Sequence, residues 1–146
     1  MLFAAEYCDI RVTGTWVEPA ITCKKNATDA VGFWVGIDGL AKKDDTVQRA
    51  EGKEYTIEQV AVVAECTDGE DKYFGAYEMY PLRAEKFKDL TIEAGSTVVV
   101  TVSYDADAKK YTLELSVTPR GQTGKPVTTD LPPSHARPRT RKRASR

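Results

Sequence analysis

Val31-Gly32-Phe33-Trp34-Val35-Gly36-Ile37-Asp38-Gly39, Thr56-Ile57-Glu58-Gln59-Val60 and Tyr77-Glu78-Met79-Tyr80-Pro81 belong to one stretch, residues 31–81, around which the rest of the chain is organised. Each piece is dense in aromatic and β-branched residues and reads as a β-strand. Each also carries a polar side chain, Asp38, Gln59 or Glu78, among apolar neighbours, which is how a polar site is built on a sheet. The run from Val31 to Asp38 is apolar almost throughout, a pattern that fits a central strand of a sandwich better than an edge strand. Gly39 ends it.

On either side of this stretch the strand pattern continues. Residues 9–19 alternate around Ile10, Val12, Trp16 and Val17, and Pro19 closes the run. Residues 24–29 read as a polar loop. The segment 40–54 is rich in Lys, Asp and Glu and reads as an exposed insertion. Strands are expected over 55–65, 72–81, 89–93, 97–104 and 110–118. Turn signals separate them at Thr67-Asp68-Gly69-Glu70-Asp71, Ala94-Gly95-Ser96 and Asp105-Ala106-Asp107-Ala108. Val98, Val100 and Val102 form one stripe, and Tyr111, Leu113, Leu115 and Val117 a second. Short strands at this spacing, with almost no helical periodicity and no internal repeat, argue an all-β antiparallel sandwich of jelly-roll or concanavalin-like type.

The 146 residues suit one domain with a real core, 41% hydrophobic and 29% charged. No apolar run reaches the ~20 residues of a membrane-spanning helix, so no membrane partner is expected. Met1-Leu2-Phe3-Ala4-Ala5-Glu6 has neither a basic n-region nor a full apolar h-region. The expectation is an intracellular chain or one whose true start lies upstream. Net charge is −1, but the body to Thr118 is acidic and the remainder of the chain is basic. An acidic body suits a protein working in acid, where its carboxylates neutralise and self-repulsion falls; ordinary solubility accounts for it equally well. There are three cysteines, Cys8, Cys23 and Cys66, and one histidine, His135. Without a Cys-x-x-Cys pair this argues against a zinc site, and no metal or cofactor is expected.

Past Thr118 the composition changes. Gly121, Gly124, Pro126, Pro132, Pro133 and Pro138 accompany a run of Arg and Lys, with Asp130 the last acid. Residues 119–146 are therefore expected to be a disordered tail beside a domain spanning 1–118. The basic run from Arg137 to Arg143 attracts acidic surfaces through charge alone, and no nucleic acid is expected as a specific partner.

The motifs FWVGIDG, TIEQ and YEMYP, in that order, resemble the glutamic peptidase family, the eqolisins or peptidase family G1. Upstream, Gly14-Thr15-Trp16-Val17-Glu18-Pro19-Ala20-Ile21-Thr22-Cys23 is similar to the family strand that ends in VP and then TC. The resemblance covers about residues 10 to 118. It implies a secreted, acid-acting endopeptidase without metal or covalent intermediate, in which a carboxylate activates water and a glutamine amide stabilises the developing charge. It implies Gln59 as the catalytic amide, with Gln48, closer to the usual spacing from Gly39, as the alternative. It implies a substrate groove of Trp34, Asp38, Glu78 and Tyr80, and a Cys23–Cys66 disulfide in an oxidising compartment.

The family's late-strand motif carrying the catalytic glutamate, similar to AEWIVE, has no match here, and its N-terminal tryptophan-bearing strand is missing too. The expectation is a family member truncated at both ends, its sandwich incomplete and its enzyme activity impaired. Asp130 and Glu114 are left open as substitutes for the base. Ala61 and Ala76 stand where the family usually has glycine and tryptophan.

Apart from the family resemblance, Gln59 is most often a cross-strand hydrogen-bonding residue, Trp34 a core aromatic and Asp38 a turn former. A carboxylate such as Glu78 within an aromatic strand needs a partner or a groove. Besides the peptidase, two readings remain. One is a non-catalytic peptide- or glycan-binding sandwich. The other is a retaining glycosidase pairing Glu78 with Glu58, which needs carboxyl groups ~5–5.5 Å apart. Adjacent residues alternate faces, so Glu58 and Gln59 point oppositely and the glycosidase loses ground. The expected partner is a peptide or unfolded protein, with self-association through unpaired strand edges.

Overall fold

The computed structural model describes residues 9–38, 57–80, 82–121 and 126–131. Among these the chain is all-β, with no helix. The strands are β1 (Ile10–Val17), β2 (Thr28–Asp38), β3 (Ile57–Thr67), β4 (Glu70–Tyr80), β5 (Glu85–Lys86), β6 (Thr97–Asp105), β7 (Lys110–Thr118) and β8 (Pro126–Leu131). They form two antiparallel four-stranded sheets, ordered β1-β6-β7-β8 and β2-β3-β4-β5, stacked as a sandwich.

Local chemistry sets the register. Asp68 and Gly69 both take positive φ, 53° and 88°, as a two-residue hairpin turn of the Asp-Gly kind demands. That turn pairs Thr67 with Glu70 and propagates to Ile57 opposite Tyr80. The β6–β7 hairpin closes at Asp105 opposite Lys110, where the Asp105 carboxylate accepts from Ala108 N at 2.7 Å. Alternation then sorts the side chains. Val60 and Val62 from one sheet meet Val98, Val100, Val102, Leu113 and Leu115 from the other, all fully buried. At one point the sheets approach so closely that only glycine fits: a Cβ on Gly75 would lie 2.2 Å from Leu115 Cδ2. A disulfide joins Cys23 to Cys66, with Cα atoms 5.3 Å apart, and ties the segment before β2 to the end of β3.

Four expectations need correction. The strand expected at 89–93 does not form. Asp89 adopts φ 55°, which breaks an extended run, and Ile92 instead turns into the core, 6% exposed. The strand that pairs with β4 is the short β5, just upstream.

Secondly, β2 is an edge strand of its sheet among the described residues, not a central one. Its odd-numbered residues face the core while Gly32, Trp34 and Gly36 lie on the outer face, so an apolar run here covers two different surfaces. Thirdly, β2 starts three residues before Val31, inside the expected polar loop.

Finally, residues 126–131 of the expected disordered tail form β8. Its backbone pairs with β7 from Ser116 to Tyr111. A strand needs only a partner edge and alternate contacts, which Pro- and Thr-rich composition does not forbid at a sheet margin. Residues 132–146, the insertion 40–54, Cys8 and Gln48 lie outside the described residues.

Candidate active site

Counting outward from the Asp68-Gly69 turn brings Gln59 on β3 directly opposite Glu78 on β4. Both lie on the outer face, because their neighbours Val60 and Met79 fill the core. The amide reaches the carboxylate: Gln59 Nε2 donates to Glu78 Oε2 at 2.5 Å. A charge-assisted bond of this kind holds both side chains in one orientation.

The surroundings leave the pair accessible. On the other side of Gln59 the register partner is Gly36, where an added Cβ would come within 3.1 Å of Gln59 Cβ. The next row across the sheet is Trp34, Ala61 and Ala76, and the row on the opposite flank is Asp38, Ile57 and Tyr80. Small residues therefore form the floor around the pair. Aromatic rings stand at two corners: Trp34 is 60% exposed and Tyr80 43% exposed. Exposed rings of this size on a sheet face give apolar or planar groups a place to rest.

Trp34, Gln59, Glu78 and Tyr80 thus share one face, with Asp38 at the adjoining register position. Glu58 does not join them. It sits opposite Met79 on the inner side and is 1% exposed, so the carboxyl pairing required by a retaining glycosidase is not assembled. Glu114 and Asp130, the open substitutes for a base, belong to the other sheet. Glu114 lies 3.9 Å from Arg11, and Asp130 pairs through its backbone with Thr112. Glu78 is accordingly the carboxylate bonded to Gln59. Sequence reasoning placed Glu78 in the groove but missed that contact, although the Asp-Gly turn fixes the register that creates it.

Chemically, an amide and a carboxylate held together on an open face can position a water molecule. The carboxylate takes a proton from it, and the amide donates to an oxygen that gains charge. Among the described residues no cluster of His, Cys, Asp and Glu is arranged to hold a metal ion.

Fold and site together define an all-β sandwich bearing an amide–carboxylate pair between aromatic residues on one sheet face. The model of the Peptidase A4 family matches residues 10–139, nearly the whole chain, and the protein belongs to that family. The match runs past Thr118, through β8, and so extends the similarity beyond the residues on which the motifs lie. Membership supports a peptidase-like function in general. No curated protein and no solved structure matches the chain.

Proposed function

We propose that this protein is an acid-acting glutamic endopeptidase of the eqolisin type, with the outer face of β2, β3 and β4 as its peptide-binding surface. Its substrate is an extended peptide or unfolded protein lying between Trp34 and Tyr80. The observation that carries this reading is the Gln59–Glu78 hydrogen bond on that face.

In the proposed step Glu78 accepts a proton from water, and the oxygen adds to the scissile carbonyl carbon. The Gln59 amide donates to the resulting oxyanion. The tetrahedral intermediate then collapses with cleavage of the C–N bond as Glu78 returns the proton to the leaving nitrogen. In this reading Glu78 does the base's work, and turnover is expected to be slow. A secreted location fits the Cys23–Cys66 disulfide.

The alternative, a non-catalytic peptide- or glycan-binding sandwich, draws on the same exposed Trp34 and Tyr80. Digestion of a denatured protein at about pH 3–4, where carboxylates are partly ionised, separates the two. Mass spectrometry should find peptide products with the wild type and a fall of about 100-fold or more with Gln59→Ala or Glu78→Gln. No cleavage by folded wild-type protein leaves the binding module. Cleavage undiminished in both variants removes the pair from the chemistry.

A further inference from the structure

Glu18 lies just past β1, away from the Gln59–Glu78 pair, and is only 1% exposed. Trp16 Nε1 donates to its Oε2 at 2.8 Å, while Oε1 is buried without a hydrogen-bond partner among the described residues. Backbone hydrogen bonds hold the main chain that carries it. Glu18 N donates to Ser96 O and Gly95 N donates to Glu18 O, each at 2.8 Å, clamping this residue to the turn before β6. Ser96 is itself fully buried.

Among the described residues no Lys or Arg is paired with the carboxyl. On β4, Tyr73 feels the charge of Glu18, and Asp71 acts on the same phenol; the turn adds Glu93, whose N–H is bonded to Ser96 Oγ. From β2 the Phe33 ring lies 6.3 Å from that of Trp16. Among the described residues, the influences on the Glu18 carboxyl are its burial and the Trp16 N–H, with no Lys or Arg among them. An ionised carboxylate with one bare oxygen in such a place is costly, whereas a neutral carboxylic acid costs far less.

We propose that Glu18 is a proton-controlled latch. Protonated, it seals the end of β1 to the 93–96 turn; ionised, it loosens the corner where Trp16 of one sheet meets Phe33 of the other. Phe33 precedes Trp34, so the loosened corner adjoins the outer face that carries the candidate site.

Burial holds this carboxyl above its ordinary value of 4.5, with the Trp16 hydrogen bond offsetting part of the rise. The folded state therefore binds the proton more tightly than the unfolded one. The stabilisation is complete below the unfolded value and is lost as pH rises through the higher folded value.

The test is a series of thermal melts of the full chain, wild type and Glu18→Gln, from about pH 3 to about pH 8. The two melting temperatures should converge at the acid end relative to their separation at neutral pH. There the variant, which cannot ionise, should melt higher by about 4 °C or more. In a Trp34→Phe background, Trp16 emission should shift with pH in the native state. A constant offset between the melting curves overturns the latch. So does a flat Trp16 emission across the range, a result that stands even where Glu18→Gln fails to fold.

Discussion

Strand β3 separates two surfaces residue by residue, and the contrast between them organises the molecule. Toward the core it presents Glu58, Val60, Val62, Ala64 and Cys66, all buried. Toward the outside it presents Ile57, Gln59, Ala61, Val63 and Glu65, all half-buried. The inner row meets the opposite sheet. Among the described residues the outer row meets its flanking strands, and there Gln59 finds Glu78. The lesson is that a strand lets stability and chemistry be assigned to alternate residues with little conflict, because each face answers to different neighbours.

If that division holds, inner-face changes should dominate stability. The largest effect is expected for Leu115→Ala. Leu115 is fully buried and fills the space over Gly75, so truncation should cost about 2–5 kcal/mol in chemical denaturation. A loss below about 1 kcal/mol would mean that the sheets close over the gap and that the inner surface is less tightly packed than its exposure indicates.

Next comes the covalent tie at the end of β3. Replacing both Cys23 and Cys66 by serine opens a loop with a sequence separation of 43 residues and should cost about 2–4 kcal/mol, measured against the wild type without reductant.

The smallest stability effect is expected on the outer face. Gln59→Ala removes a hydrogen bond at a half-buried position and should change unfolding free energy by no more than about 1 kcal/mol. The same substitution is the one expected to abolish most peptide cleavage, so a variant that retains its fold and loses its products sharpens the contrast. A large stability loss from Gln59→Ala would blur it and make the pair a structural cross-strand bond.

Two acidic groups outside β3 also contrast. Glu78 has its amide partner at the surface, whereas Glu18 is shut in with one oxygen unmatched among the described residues. Removing charge from Glu78 should alter chemistry, and removing it from Glu18 should alter how stability responds to pH. Exchange of those two outcomes would show that burial, rather than partnering, governs both.

Local sequence was enough for the class of fold, the hairpin turns and the alternation. Asp68-Gly69 demands positive φ and therefore a tight hairpin, and the Val98–Val102 and Leu113–Val117 stripes have one period that buries them. These are local constraints, legible wherever turn chemistry and apolar spacing agree. The motifs also pointed to Gln59 as a candidate catalytic amide, with Gln48 as the alternative, and to Trp34, Asp38, Glu78 and Tyr80 as a candidate groove.

Which surface each strand meets was settled by long-range packing. The apolar run of β2 looked central because its two faces are both apolar, yet it lies at a sheet edge. Residues 126–131 looked unable to fold because their composition is poor in core residues, yet β7 offers them a backbone edge. The direct bond between Gln59 and Glu78 and the burial of Glu18 belong to the same category. Each depends on residues distant in sequence, brought together by register and by the stacking of two sheets, and local pattern carries no record of that stacking.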